Sequence, residues 1–300
     1  MAKFLKKHLT TIILYTLLLV GICLLLYPTV SDWWNSFHQT RAIATYVEAV
    51  DAMNGETMEA LLEDARRYNG RLAVQGARFQ LTEEEKAEYE SLLDVSGTGV
   101  MGYLQIPKIN VSLPVYHGTD EAILQIAVGH IPGSSLPVGG ENTHSILSGH
   151  RGLPSARLLT VLDQVQEGDV FTVTVLNRTA VYEVDQIRIV APEDVSDLQI
   201  VSGEDYCTLV TCTPYGINTH RLLVRGRRTD HITEGITTGD EAVKVPLYIA
   251  SPVEGLPVIL VALVVLLVGR RFRRPSKTEG ELMDELKELA EKEGGDVHEK

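Results

Sequence analysis

The sequence predicts a mainly β domain, folded as a closed sheet or a sandwich, with a helical region before it and an apolar membrane segment on each side. After Gly99, short apolar runs rich in Val, Ile, Thr and Tyr alternate with turn residues. Turn signals recur about every ten residues, which is typical of barrels and sandwiches rather than of alternating β and α units. The predicted strands are Gly102–Ile106, Ser145–Ser148, Val170–Leu176, Val181–Val190, Tyr206–Thr211 and Arg221–Gly226.

The first apolar segment runs from Leu9 to Tyr27 and follows a basic flank of three lysines. A cleavable signal peptide has the same basic start, but its apolar core is only about 7–15 residues long. The run in this chain approaches the ~20 residues that span a bilayer, and Trp33 and Trp34 follow it as an aromatic belt would. We therefore expect an uncleaved membrane anchor within residues 1–32.

A second apolar segment, residues 248–268, is followed at once by four arginines between Arg270 and Arg274. A buried core helix or strand is the alternative, but the arginine cluster favours a membrane helix. The positive-inside rule places both basic flanks in the cytoplasm. We expect a two-span protein in the cell membrane, with both termini cytoplasmic and the β domain extracellular.

The region between the first anchor and the β domain, residues 33–98, is predicted to be helical, with a break near Asn54-Gly55. Thr82 and Glu85 have the spacing of a capping box and predict the start of a further helix. The remaining divisions are the β domain at 99–232, a linker at 233–247, and a cytoplasmic basic flank with an acidic tail at 269–300.

The formal net charge of −13 argues against nucleic-acid binding, because phosphate contacts need clustered Lys and Arg. The three cysteines, Cys23, Cys207 and Cys212, are an odd number without regular spacing and predict neither a disulfide framework nor a zinc site. Cys23 falls in the first apolar segment and Cys207 in the middle of a predicted strand, so both are expected to be inert.

Cys212 ends a predicted strand, a position from which its sulfur can face a cleft. A lone cysteine is more often a buried structural residue. A nucleophilic cysteine needs a base or a positive neighbour, because the thiolate is the reactive form. His150 follows another strand end in a glycine-flanked turn, and Arg221 begins the strand after Cys212. If the two strands form a hairpin, Cys212 and Arg221 lie side by side, where the arginine can stabilise an anion.

The alternatives for His150 and Arg221 are an exposed loop histidine and an exposed strand-end arginine. His144 and His150 are six residues apart, a spacing that fits no zinc motif, and carboxylates do not cluster near them. His117 and His130 are expected to be structural. The residues therefore predict no metal site.

Three stretches carry a longer pattern around these candidates: Leu209–Gly226, with Cys212 in Thr-Cys-Thr-Pro-Tyr-Gly; Leu147–Ser155, with His150 in Ser-Gly-His-Arg-Gly-Leu-Pro; and Gly102–Ile109. Together with Tyr116–Thr119 and Gly129-His130, they closely resemble the sortases, and most of all class C, the pilin polymerases of Gram-positive bacteria. The resemblance covers about Gly99 to Arg228.

The resemblance implies a closed β-barrel of about eight strands with short connecting helices. It implies that Cys212 is the nucleophile, His150 the general acid and base, and Arg221 the stabiliser of substrate and oxyanion, with Thr211 and Thr213 as candidate substrate contacts. The implied reaction is a transpeptidation that needs no cofactor. An LPXTG-like sorting signal is cleaved through a Cys212 thioester and joined to a lysine amine of a pilin subunit.

Two alternatives stay open: a sortase that anchors surface proteins to the cell wall, and an inactive scaffold of pilus assembly. Class C sortases also carry a lid with an Asp-Pro-aromatic motif before the barrel. The corresponding window, about residues 70–84, contains no proline, but it offers Arg78 and Phe79. We therefore expect either a lid that is anchored differently, through Phe79, or a plain linker beside an open cleft.

Overall fold

The computed structural model describes residues 2–77, 79–230 and 283–284. Within the unit Met1–Val243, three helices precede a β domain. The helices are α1 (Ala2–Asp51), α2 (Gly55–Gln75), α3 (Glu83–Ser91) and, inside the β domain, the one-turn α4 (Glu121–Leu124). The strands are β1 (Val100–Ile106), β2 (Val111–His117), β3 (Val128–His130), β4 (Thr143–Ser148), β5 (Val170–Val175), β6 (Arg178–Val190), β7 (Asp205–Thr213) and β8 (His220–Arg228). Short 3₁₀ turns lie at Pro107–Ile109, Leu162–Gln164 and Ser196–Leu198.

The strands close into a barrel in the order β1-β2-β3-β4-β7-β8-β6-β5. Neighbouring strands are antiparallel except for the parallel pairs β2–β3 and β4–β7. The predicted closed barrel of about eight strands is therefore confirmed, and each of the six predicted apolar runs forms a strand.

The apolar runs did not predict β2 and β3. Pro114 interrupts β2, and a proline usually excludes a central strand because it has no N–H to donate. In the barrel, β2 pairs with β3 only from Val115 onward, opposite Val128, so Pro114 lies where β2 is paired on one side. The strand β3 has three residues, too few to show a period of two.

The helix α1 has two halves that differ in their surroundings. Ile13–Asp51 contains a window apolar enough to cross a membrane, and its leucines are exposed, such as Leu25 at 81%. Further along, Tyr46 is buried against the barrel, where its hydroxyl donates to the Met101 carbonyl at 2.9 Å and accepts from the Leu176 N–H at 2.7 Å. The second predicted membrane segment, residues 248–268, lies outside the described residues.

The helices α2 and α3 begin as the sequence predicts. The side chain of Asn54 caps α2, and Thr82 and Glu85 form the capping box of α3. The window 70–84, in contrast, is partly helical: its start belongs to α2 and its end to α3, so the irregular segment is confined to residues 76–82.

Buried polar contacts attach both helices to the barrel. In α2, Asn69 exchanges two hydrogen bonds with the backbone of Leu136, at 2.7 and 3.0 Å. In α3, the Tyr89 hydroxyl lies 2.9 Å from Nδ1 of His130 and accepts from the Gly118 N–H at 3.0 Å. The irregular segment 76–82 is therefore suspended between two anchored helices.

Candidate active site

The end of β7 brings Cys212 between two neighbouring strands, β4 and β8. Cys212 lies directly opposite Arg221 in the antiparallel β7–β8 pair, so the hairpin expected from the sequence is present. In the parallel β4–β7 pair, Ser148 lies opposite Val210, and the same register continued by two residues brings His150 level with Cys212. Adjacent strands are about 4.8 Å apart. Cys212 is thus flanked by the histidine on one side and by the arginine on the other.

The three candidate side chains also share one face of the sheet. Side chains alternate along a strand, and Leu209 of β7 points into the main core. Val210 belongs instead to a second group of buried residues, here called the outer cluster: Ile146, Leu198, Val210 and Leu223. Cys212 follows Val210 by two residues and faces the same way. Arg221 lies two residues before Leu223 on β8, and His150 lies four residues after Ile146 on β4, so both have the parity of the outer cluster. All three candidates remain partly exposed.

Backbone contacts fix the start of the histidine loop, residues 149–158, against β7. The Gly149 N–H donates to the Val210 carbonyl at 3.0 Å. The Thr211 hydroxyl donates to the Gly149 carbonyl at 2.8 Å. These two bonds continue the β4–β7 ladder to the residue that precedes His150.

A second contact closes the loop over the cysteine strand. Gly152 has a positive φ of +81°, and a Cβ atom there would lie 3.0 Å from the Tyr215 ring. Glycine is therefore required both by the backbone conformation and by the approach of the ring. Tyr215 follows Cys212 closely, so this contact joins the loop after the histidine to the loop after the cysteine.

Arg151 supplies a polar link between the same two segments. Its Nη1 donates to the Thr213 hydroxyl at 3.2 Å, and its Nη2 pairs with Oδ2 of Asp163 at 2.6 Å. The side chain is only 8% exposed. The sequence interpretation missed this residue, although its place directly after His150, in a predicted loop, was a signal for a functional cation.

The side chains of the candidate substrate contacts Thr211 and Thr213 point away from the outer face that carries Cys212. Both side chains are buried, at 2% and 6% exposure, because they have the inward parity of β7. Their hydroxyls hold the histidine loop, through Gly149 and Arg151. Direct contact of Thr211 or Thr213 with substrate stays a prediction.

Arg221 is held much more loosely. Its Nη1 donates to the backbone carbonyls of His220 at 3.1 Å and Asn218 at 3.4 Å, both in its own loop. The whole connection from Pro214 to His220 is exposed. Arg221 is thus opposite Cys212 in the β7–β8 pair and, among the described residues, makes hydrogen bonds only through Nη1, which leaves its other donors for a bound anion.

The candidate lid residue Phe79 packs against the outer cluster. It comes from the irregular segment 76–82 and is partly buried, together with Ile131 and Val190 at the same place. Three members of this cluster, Ile146, Val210 and Leu223, lie on β4, β7 and β8. The lid role of Phe79 stays a prediction, and Arg78 lies outside the described residues.

The buried residues His117, His130, His144 and Cys207 are structural. Burial lowers the pKa of His130 and of His144 to about 4. His144 lies between the Gln199 carbonyl at 2.8 Å and the Thr208 hydroxyl at 2.7 Å, and His117 contacts the Leu92 carbonyl. Burial raises the pKa of the Cys207 thiol, which disfavours its thiolate. Among the described residues, no group of three or more His, Cys, Asp and Glu could hold a metal ion.

Comparison with known proteins agrees with this geometry. The family model of the sortase domain matches residues 104–229. The chain is 32% identical over 130 residues to sortase D of Bacillus subtilis, covering 42% of this chain and 63% of that protein. It spans less than two thirds of the length of the curated relatives that it matches.

The similarity to solved structures is closer. The crystal structure of sortase C1 from Streptococcus agalactiae is 54% identical and superposes with a TM-score of 0.63, covering 64% of this chain and 100% of that one. Sortase C of Streptococcus pneumoniae is 42% identical with a TM-score of 0.58, covering 64% and 97%. With the closed barrel and the flanked cysteine, these matches show that the chain belongs to the sortase family, and within it to class C.

Proposed function

We propose that this protein is a cysteine transpeptidase that polymerises pilin subunits at the outer face of the cell membrane. One observation supports this most directly: Cys212 is opposite Arg221 in register and level with His150 on the same outer face. A nucleophile, an acid and base, and an anion-binding cation are thereby available to one carbonyl group. The similarity to class C sortases supports the pilin as the substrate.

The reaction divides into two acyl transfers. The Cys212 thiolate attacks the carbonyl of the Thr–Gly bond in an LPXTG-like sorting signal, and Arg221 stabilises the oxyanion of the tetrahedral intermediate. His150, as imidazolium, gives its proton to the leaving glycine amine, and the C–N bond breaks to leave a thioester. A lysine amine of another pilin then attacks the thioester and loses a proton to His150. An isopeptide bond forms and the Cys212 thiolate is restored.

The membrane position follows from α1. Its C-terminal half cannot lie in the bilayer, because Ile43, Tyr46 and Val50 are buried against the barrel. The exposed apolar turns before Trp33 are the part that spans the membrane. The barrel then lies directly above the extracellular surface. The segment 248–268 returns the chain to the cytoplasm as a second span.

The segment 76–82 is a lid over the catalytic face. Phe79 occupies apolar surface beside Cys212 that a sorting signal must reach, and the anchors at Asn69 and Tyr89 let the irregular segment move without unpacking α2 and α3. The segment thus covers the catalytic face, as the Asp-Pro-aromatic lid of class C sortases does, through a single aromatic contact.

The test is polymerisation by the full chain in detergent or in lipid nanodiscs. We expect a pilin that carries both a sorting signal and an acceptor lysine to form a ladder of covalent multimers. The variant Cys212→Ala should give none, and Cys207→Ala, at the buried cysteine of the same strand, should retain the ladder.

Other outcomes separate the alternatives. Product formation only with a glycine or cell-wall peptide amine would make the protein an anchoring sortase. Absence of any cleavage by the wild-type chain, with the barrel folded, would make it a scaffold and contradict the proposal.

A further inference from the structure

Arg151 is a buried cation that takes no part in the steps of the proposed reaction. The residue follows His150 directly, and its side chain is 8% exposed. A buried arginine is costly to desolvate unless it is paired and hydrogen-bonded. Its Nε is buried without a hydrogen-bond partner in the described part of the chain. The contacts of the buried guanidinium must therefore offset its desolvation.

Its contacts bracket the catalytic pair. The register of β4 and β7 runs to Ser148 opposite Val210. Beyond it, the Thr211 hydroxyl donates to the Gly149 carbonyl at 2.8 Å, and the Arg151 guanidinium donates to the Thr213 hydroxyl at 3.2 Å. In each segment the candidate residue, His150 or Cys212, lies between the two linked residues, so these links restrain the backbone that carries both side chains.

The second contact of Arg151 fixes the guanidinium itself. Its Nη2 pairs with Asp163, a half-exposed residue in the 3₁₀ turn that follows the histidine loop. One planar group thus joins three segments: the histidine loop, the end of β7 and the turn at Asp163. A lysine has one ammonium on a flexible stem and cannot hold two partners in this fixed geometry.

We propose that Arg151 is a positioning residue that sets the separation and orientation of His150 and Cys212 through Thr213. The inference rests on the proposed transpeptidation, since it assigns Arg151 to the same site. Arg151 acts through its neighbours and does not itself touch the substrate.

The first test measures the acylation step with a sorting-signal peptide. Arg151→Gln should lower kcat by about 10–100-fold with little change in KM, because a displacement of about 1 Å in a catalytic pair has this effect. Arg151→Lys, which keeps the charge, should recover only part of the loss. The control is Arg157→Gln, an exposed arginine of the same loop, which should leave kcat unchanged.

The partner hydroxyl gives a second test, whose single variants do not require the Arg151 variants to fold. Thr213→Val should lower kcat several-fold, and Thr213→Ser, which keeps the hydroxyl, should restore it. The double variant Arg151→Gln with Thr213→Val should be no slower than Arg151→Gln alone, because both changes remove the same link. A strictly additive loss, or equal rates for the Val and Ser variants, would overturn the proposal.

A substrate-free measurement separates failure of this inference from failure of the proposed function. The rate of Cys212 alkylation by iodoacetamide, followed from pH 5 to 9, reports the ionisation of the thiol without a peptide. Arg151→Gln should shift this profile to higher pH, and Arg157→Gln should not. If the wild-type chain fails to cleave any peptide, the function is wrong. If it cleaves and neither the profile nor kcat responds to Arg151, the positioning role is wrong.

Discussion

The two flanks of Cys212 are built differently. On the β4 side, His150 lies in a loop held by Gly149 and Thr211 below it and by Arg151 and the Tyr215 contact above it. On the β8 side, Arg221 contacts only carbonyl groups of its own exposed loop among the described residues. The backbone that carries the histidine is therefore held on both sides, whereas the arginine can adjust to a bound carbonyl or oxyanion.

This difference fits the two chemical roles. A group that transfers a proton in both acyl-transfer steps benefits from a fixed distance to the sulfur. A cation that binds first the substrate carbonyl and then the oxyanion must follow an atom that moves.

The arginine side should show the largest effect. Arg221→Ala is expected to lower kcat for acylation by about 10²–10³-fold, the usual loss for a removed oxyanion donor. Arg221→Lys should regain little, because a single ammonium does not reproduce the guanidinium fork. Steady-state kinetics with a sorting-signal peptide measure both variants. Full activity of the lysine variant would show that charge alone matters on this side.

Acid should weaken the barrel on the histidine side, where β3 and β4 bury His130 and His144. Their pKa values of about 4 lie below the usual 6.5 for histidine, so folding favours the neutral forms. Their contribution to stability is complete above pH 6.5 and is lost as the pH falls from 6.5 towards 4. Each group accounts for about 3 kcal/mol over this range.

Urea unfolding of the detergent-solubilised chain at pH 7.5 and pH 5 measures this effect. The exposed His220 provides the control, because His220→Gln should leave the pH dependence unchanged. His144→Gln, in contrast, should reduce the number of protons taken up on unfolding by about one, and so weaken the pH dependence of the unfolding free energy. An unfolding free energy that is flat between the two pH values would contradict the assignment of both buried histidines.

Loss of the lid contact should have a moderate effect on access to the thiol. A fully buried phenylalanine contributes about 1.5–3 kcal/mol, and a partly buried one about 1 kcal/mol, which corresponds to a factor of about five. Phe79→Ala should therefore speed Cys212 alkylation about five-fold. Leu81→Ala is the control, since Leu81 lies in the same segment but packs against the main core. Equal rates for wild type and Phe79→Ala would mean that the segment is a linker beside an open cleft.

The smallest effect is expected where α1 contacts the far end of the histidine loop. Asp32 accepts from the Arg157 N–H at 2.6 Å, and the Asn35 side chain donates to the Ser155 carbonyl at 2.7 Å. One of these bonds is exposed and the other partly buried, and each contributes about 1 kcal/mol.

The double variant Asp32→Ala with Asn35→Ala should lower kcat about two- to five-fold in the full chain, in keeping with bonds of this strength. Gln39→Ala, which removes a similar bond from α1 to Ile126, should not. Equal losses from both changes would point to docking of the helix rather than to the histidine loop.

Much of the fold was predictable because short apolar runs alternate with turn residues along the β domain. The six apolar runs, the helix break near Asn54-Gly55 and the Thr82–Glu85 box depend on local chemistry, which sequence displays directly. The strand β2 was missed because Pro114 is tolerated only through the shortness of β3, a property of the tertiary pairing.

The candidate site was predictable where its contacts are local in sequence. The pairing of Cys212 with Arg221 follows from a hairpin, which is local in sequence. The roles of Thr211, Thr213 and Arg151 depend on the parallel register between β4 and β7, strands about sixty residues apart, and no local pattern encodes that register.

The most direct test of Cys212 as the nucleophile is the intact mass of the enzyme during its reaction with a sorting-signal peptide. The reaction is quenched in acid before the acceptor amine is added. We expect the enzyme to carry an adduct with the mass of the acyl portion of the peptide, which proteolysis maps to Cys212 and hydroxylamine removes. The adduct should be retained in Cys207→Ala and absent from Cys212→Ala. A product formed without any adduct, or an adduct on another residue, would contradict the claim that Cys212 is the nucleophile.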